Sequence, residues 1–367
     1  MRSLHRAGFR VLAGSDRGVV GVRRGLGGGS VVAVPAPSDG SAAFAGALER
    51  HVDAEGVDVV LPLAESALAA LVVEASDDLM ARVAGPTREQ YAALSDKARL
   101  AELARAVGVA VLPGVVVGGA GQPLPPPPVV VKPLASATLG DDASITYVRP
   151  VFAATAEARD RAVARVLAVT GRALVQPLVE GERWHVHAWR GASGGGGVAA
   201  RVRRSWPPRV GMTCASRIEA EPAAVDAALA IMAAVGYRGV ASADLIRSPD
   251  GVLAVHDVNP RIPFSVAEAL AAGLDTPRIA VEIALGRDPD VPEPGCGSRY
   301  HWATGEARWL ARPGRAAVAR DLAGIPVRRG AVLDPLARGI ALAGVLDLAG
   351  TGMRRIPGCV DRLRRRA

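Results

Sequence analysis

The sequence predicts an α/β chain that changes character along its length, from alternating strands and helices at the start to antiparallel hairpins in the middle. Apolar runs at 9–13 and 57–63 alternate with helical stretches at 41–54 and 64–75, which is the pattern of a parallel sheet. Further on, two apolar strands over 241–258 flank Asp250-Gly251, a strong signal for a tight turn of the primed type. At 367 residues the chain is long enough for two or three domains.

Residues 3–8 read as the end of a helix. A domain of this type ordinarily opens with a strand and a glycine-rich turn ahead of that helix, so a trimmed, Rossmann-like domain is expected over 1–90. A helix follows at 97–107. The segment from Pro113 through the Pro125 to Pro128 run reads as an extended loop with polyproline character. Strand 129–132 comes next, then a small polar loop over 136–144, strand 145–148, a helix at 157–169 and strand 173–179. Strands 184–190 and 198–204 are joined by the Gly194 to Gly197 turn. A helix at 222–235 precedes the 241–258 hairpin, and another runs from about Ser265 to Ala272. The remainder, 291–367, holds Trp302 and Trp309, ends in a basic amphipathic tail and has no assigned role.

Composition narrows the function classes. The longest apolar runs, 67–75 and 339–349, fall short of the ~20 residues a spanning helix needs. The N-terminus has no signal-peptide core, so a cytoplasmic protein without a membrane partner is expected. Cys214, Cys296 and Cys359 lack any ligand spacing, which argues against disulfides and structural zinc. A net charge of +8 raises the question of nucleic acid, but the arginines are dispersed and only Arg362 to Arg366 form a run. Nucleic acid is not expected as the partner; an anionic small substrate fits the charge as well.

Two features carry chemistry. Of the 44 basic residues only Lys97 and Lys132 are lysines, the rest being arginine. A compact ammonium on a flexible stem suits a tight phosphate site that a planar guanidinium does not. Centring the hairpin on Asp250-Gly251 pairs Asp244 with Asp257 and puts Asn259 on the same face as Asp257. Opposed carboxylates ~5 Å apart repel unless a cation lies between them. With only oxygen ligands, that cation is expected to be Mg²⁺ rather than Zn²⁺, the alternative being an ordinary solvated hairpin. Asn259-Pro260-Arg261 then ends the strand, and Arg261 stands just before a helix whose N-terminus favours anions.

Five segments in order complete the pattern: Ser95-Asp96-Lys97, Val130-Val131-Lys132-Pro133, Val175 to Gly181, Gly239 to Asp244, and Asp257 to Arg261. Together they resemble the ATP-grasp superfamily, specifically its carboxylate-amine ligases and the related carbamoyl-phosphate synthase and biotin carboxylase halves. The resemblance runs from about Asp58 to Gly286. It implies a Rossmann-like N-terminal domain followed by a two-subdomain ATP-grasp fold, with 91–178 as the lid and 179–290 carrying the metal site.

The same resemblance implies roles. Lys97 and Lys132 match the two lysines on the ATP phosphates, and Gln176, Pro177, Leu178 and Val179 match the hinge whose backbone meets adenine. Glu180 or Glu182 would meet the ribose. Asp244, Asp257 and Asn259 match the metal ligands, for Mg²⁺ or in its place Mn²⁺, and Arg261 matches the arginine that steadies the acyl phosphate and tetrahedral intermediate. The implied activity is ATP-dependent ligation of a small carboxylate, such as an amino acid, to an amine, with release of ADP and phosphate. A homodimer is compatible with this. The sequence departs from the pattern at Asp257, where glutamate is usual, at Arg183, where an acidic residue is, at Ser242, which is arginine in the D-alanine ligase branch, and in the glycine-poor loop after Lys132. A nucleotide-binding protein without ligase activity is therefore the second reading, and a basic nucleic-acid-binding protein the third.

Other candidates are set aside. His185 and His187 alternate on one strand but lack a third metal ligand, so they read as sheet-face histidines or a substrate contact. His256 reads as a core histidine. Arg201 or Arg203 could face an anionic substrate. Ser136 and Ser144 have no His/Asp pair to activate them.

Overall fold

The computed structural model describes residues 2–16, 30–119, 121–140, 142–310 and 331–334. The apolar run 339–349 and the basic tail Arg362 to Arg366 lie outside the described residues.

Near the N-terminus, β1 (Leu12–Ser15) and β2 (Ser30–Ala33) pair in parallel. The expected strand at 9–13 thus begins later. Helices Ser41–Glu55 and Glu65–Glu74 stand where the periodicity put them and share a core of Phe44, Val52, Leu68 and Leu71. The expected strand 57–63 is reduced to a single parallel bridge between Val60 and Val83, because Pro62 lacks the N–H that a continued ladder requires.

Helices Arg88–Ser95 and Lys97–Ala106 follow. Thr87 caps the first in a reciprocal capping box with Gln90, and Asp96 caps the second through the N–H groups of Ala98 and Arg99. The Ser-Asp-Lys segment is therefore a helix start that fixes where Lys97 points. Strand β3 (Ala110–Val111) precedes Pro113, and strand β4 (Val115–Val117) interrupts the segment that the prolines suggested was loop.

A four-stranded sheet comes next, in the order β4, β9 (Ala173–Pro177), β5 (Val129–Pro133), β8 (Val151–Ala153). Its inner face, Val129, Val131 and Val175, packs on Ala162, Val163 and Val166 of helix Ala156–Thr170. The expected loop 136–144 is instead largely a hairpin of β6 (Ala137–Leu139) and β7 (Ile145–Tyr147). Ala137 and Ile145 bury against the N-terminal helices, and that tertiary contact orders a segment whose composition is small and polar.

The main sheet has eight strands in the order β16 (Ala331–Asp334), β15 (Arg299–Trp302), β12 (Met212–Glu219), β11 (Gly195–Trp206), β10 (Glu182–Arg190), β13 (Gly239–Arg247), β14 (Leu253–Asn259), β3. One face carries Trp184, Val186, Ala243 and Leu245, covered by Ile231 and Met232 of helix Pro222–Ala234 and by Leu94 and Leu100. The other carries Val198, Ala200 and Ile218, covered in part by Ala269 of helix Val266–Ala271 and Ile279 of helix Thr276–Ala284. Where those helices stop, this second face carries the polar groups described next. Beyond residue 291, strand β15 pairs with β12 and so extends the sheet, and helix Ala303–Leu310 follows it.

Candidate functional site

The hairpin β13–β14 sets the site. Asp244 pairs with Asp257 and Ser242 with Asn259, as the sequence predicts, but by a different route. The loop spans 248–252 and is centred on Asp250 rather than between Asp250 and Gly251, since Arg247 pairs with Leu253. A bulge at His256 then supplies the compensating residue and returns Asp257 to Asp244. The bulge also turns His256 towards Lys132, whose Nζ lies 3.3 Å from its Nδ1. His256 is thus part of the polar site, not of the core. Burial and the Lys132 ammonium push its imidazole down to about 3, so it is neutral and accepts a hydrogen bond.

Both lysines reach this place from different elements. Lys97, at the start of its helix, lies 3.4 Å through Nζ from Oδ1 of Asp257 and donates to the Leu134 carbonyl and the Ser136 hydroxyl, each at 3.4 Å. Lys132 projects from β5. The two are only 6% and 7% exposed, unusual for ammonium groups, and burial lowers Lys132 to about 8 against the pull of Asp257. Asp244 takes a different cation: its Oδ1 lies 2.9 Å from His185 Nδ1. Burial pushes the Asp244 carboxyl up, but the charge and hydrogen bond of His185 outweigh it and hold it well below the usual carboxylate range. His185 is raised correspondingly, Asp244 prevailing over the opposing effect of burial.

Arg261 is fixed by a residue the sequence analysis did not single out. Its Nε donates to Oε2 of Glu65 at 2.6 Å, and Tyr91 donates its hydroxyl to the other oxygen at 3.1 Å. The arginine Nη2 reaches Asn259 Oδ1 at 3.5 Å, which links the three terminal residues of the motif. No local pattern marks Glu65, which lies 196 positions from Arg261 in the chain. The helix expected directly after Arg261 begins only at Val266, so its N-terminus does not adjoin the guanidinium, which Glu65 holds.

The hinge lies between β9 and β10. The Leu178 N–H is taken by the Pro128 carbonyl at 2.9 Å, and Gln176 is buried with its Oε1 unpartnered. Gln176 helps line a cavity of about 170 Å³ with Lys97, Leu112, Val255 and His256. Pro177 and Val179 are half-buried and Glu180 is exposed. Glu182 is engaged by Arg201, which also approaches Glu219, while Arg203 reaches Glu219 at 3.5 Å. These arginines are therefore tied to carboxylates. Arg183 donates to the Ser205 hydroxyl at 2.8 Å. A second cavity, of about 460 Å³, is walled by Arg203, Arg204, Arg217, Arg299 and His301 and includes neither lysine. The site thus brings together Lys97, Lys132, Asp244, Asp257, Asn259 and Arg261; Glu182 is joined to Arg201 instead.

Two buried ammonium groups, opposed carboxylates and an anchored guanidinium on one sheet face can bind a cation and a polyphosphate together. No protein-family model and no curated protein matches the chain. Solved structures do. The L-amino acid ligase from Bacillus licheniformis aligns at 15% identity and a TM-score of 0.59, over 77% of this chain and 70% of that one. The biotin carboxylase from Campylobacter jejuni, in a complex with β,γ-ATP, aligns at 14% and 0.61, over 81% and 70%. The biotin carboxylase domain of 2-oxoglutarate carboxylase from Hydrogenobacter thermophilus, a dimer with MgADP and bicarbonate, aligns at 16% and 0.58, over 81% and 69%. The chain therefore shares its fold with these enzymes.

Proposed function

We propose that this chain is an ATP-dependent carboxylate-amine ligase acting on a small carboxylate such as an amino acid through an acyl phosphate. The observation that carries the reading is the convergence of Lys97 and Lys132, the only lysines of the chain, on the opposed Asp244 and Asp257. Asp244, Asp257 and Asn259 offer oxygen donors only, which fits Mg²⁺ and, in its place, Mn²⁺. When bound, the ion neutralises the β- and γ-phosphates for in-line transfer.

The residues divide the work. Lys132 projects between the two sheets and places its charge on the phosphates, with His256 orienting the ammonium. Lys97, 3.4 Å from Asp257, would place its charge on the phosphates beside the ion that Asp257 would hold. The unpartnered Gln176 Oε1 is an acceptor suited to the adenine amino group, and the hinge through Val179 would close the edge of the base. Exposed Glu180, rather than Glu182, is the acid left to meet the ribose. Arg261, held by Glu65, stabilises the oxyanion that develops when the amine attacks the acyl phosphate. Closure of the sheet that carries Lys132 over the site would keep water from that intermediate.

A screen of amino acids in pairs, reading ADP and phosphate release with Mg²⁺ and ATP, tests the proposal. Release that needs both a carboxylate and an amine, with a new amide by mass spectrometry, is the expected result. ADP release that no carboxylate stimulates would instead favour the nucleotide-binding reading, to which the Arg183 and Ser242 departures point.

A further inference from the structure

His185 and His187 stand at alternate positions of β10 and therefore project from one face of the sheet. Their rings meet edge to face with centroids 4.8 Å apart. The third ligand missing from the sequence comes from helix Val266–Ala271, which lays Glu268 across them with Oε2 2.8 Å from His187 Nε2. His187 and Glu268 are entirely enclosed. Yet His185 Nε2 and His187 Nδ1 are buried with no hydrogen-bond partner. Buried polar atoms are ordinarily paired, so the orphan Nε2 of His185 near the His187–Glu268 pair calls for an explanation.

We propose that His185, His187 and Glu268 form a site for a first-row transition-metal dication of the zinc type, separate from the carboxylates assigned above to Mg²⁺. Their ligand atoms lie within 4.8 Å of one another. Two imidazoles and one carboxylate are a borderline donor set that suits Zn²⁺ and does not suit Mg²⁺, which retains oxygen ligands and water. Supporting groups are already in place. Asp244 accepts a hydrogen bond from Nδ1–H of His185, so a metal would displace the proton on Nε2 and leave the ring oriented by Asp244, the arrangement that commonly orients a ligating histidine. The Ser216 hydroxyl donates to Glu268 Oε1, which leaves Oε2 for the ion.

The geometry asks for a small adjustment. Zinc bonds of ~2.0–2.2 Å bring ligand atoms to roughly 3–3.5 Å from one another. His187 Nε2 and Glu268 Oε2 stand 2.8 Å apart, near that spacing, and all three ligand atoms lie within 4.8 Å of one another, so the approach of His185 is the adjustment required. An ion there would tie helix Val266–Ala271 to β10 and, through His185, fix the orientation of Asp244. It acts on the neighbouring carboxylate by position and takes no part in phosphoryl transfer.

The test uses the full chain without an affinity tag, stripped with a chelator and dialysed against Zn²⁺ or Co²⁺ in excess Mg²⁺. One zinc per chain by elemental analysis is expected, with visible Co²⁺ absorption of a four- or five-coordinate site and a higher melting temperature. Glu268→Gln and His187→Ala should each weaken zinc binding by tenfold or more, whereas Asp257→Asn should leave it unchanged. Glu268→Gln keeps the side-chain shape should His187→Ala fail to fold, and the stoichiometry of the unaltered protein decides without any variant. Substoichiometric zinc, affinity unmoved by Glu268→Gln, or loss of zinc in Asp257→Asn would each overturn the assignment. The readout is metal content, so it stands whether or not the ligase reading holds.

Discussion

The Nζ of Lys97 lies 3.4 Å from Oδ1 of Asp257, an ion pair with its lysine only 5% exposed at the side chain. With Asp244 held by His185, each carboxylate of the opposed pair has its own cation. The repulsion that the sequence pattern implied is therefore already relieved in this structure. Asp257→Asn should lower the melting temperature, because it strands the buried Lys97 ammonium, and should still leave a folded protein that has lost Mg²⁺-dependent ADP release. Differential scanning calorimetry beside a coupled ADP assay separates the two; joint loss of folding and activity would make Asp257 a structural residue.

Lys132 gives a pH-dependent prediction. Its folded pKa, about 8, lies below the ordinary 10.5, so burial of the charged form opposes folding by about 3 kcal/mol at neutral pH. The unfolded chain binds more protons between those values, so this contribution should make the nucleotide-free protein more stable as pH rises from about 8 to 10.5. Lys132→Met should remove that slope and raise neutral-pH stability. Nucleotide should restore the proton: at pH 8.5, ATP binding should take one up, seen as a calorimetric enthalpy that varies with the ionisation heat of the buffer. Lys132→Arg keeps the charge but not the shape and should weaken ATP binding by an order of magnitude or more.

Arg261 and Glu65 should separate catalysis from anchoring. Removing one partner of a buried pair strands the other, at a cost of about 3–5 kcal/mol. Arg261→Ala should thus lower stability by that order and lower kcat by roughly two to three decades, with ATP affinity little changed. Glu65→Gln, which keeps a hydrogen-bond acceptor, should affect kcat less and leave KM for ATP alone. If ATP affinity fell in step with kcat in both variants, Arg261 would be a nucleotide ligand.

Gly181 opens β10 where the chain leaves the hinge. A Cβ there would collide with the Arg247 backbone carbonyl on the neighbouring strand, which no side-chain rotation relieves. Gly181→Ala should therefore cost more than the ~1 kcal/mol typical of a point substitution, while Gly251→Ala at the hairpin tip meets no atom and should show only the strain of its positive φ. Denaturant titration of the two variants compares them directly.

Much of this was legible locally. Lys97 and Lys132 stood out by composition, whereas the facing of Asp244 and Asp257 agrees with the sequence only because the bulge at His256 compensates for a loop centred on Asp250. The failures share a physical origin in contacts between distant segments. Glu65 and Glu268 lie in ordinary helical stretches, and only tertiary packing brings them to Arg261 and to the two histidines. The 136–144 segment lacks a strand pattern because the N-terminal helices, not its own residues, provide its buried face. His256 was misplaced because strict alternation fails at a bulge, and a bulge leaves no composition mark in so short a strand.

The bulge also decides what the hairpin tip is free to do. Because the register at Asp244 is reset at His256, inside the strand, the loop 248–252 does not need to preserve any alignment for the carboxylates below it. Its residues are exposed at Pro249 to Val252, and its far end lies beyond the Arg247–Leu253 pair. New chain ends or a fluorescent reporter domain spliced in here would load the tip while the strands beneath keep their partners. Such a fusion could report opening and closing around the nucleotide from a position that takes no part in either.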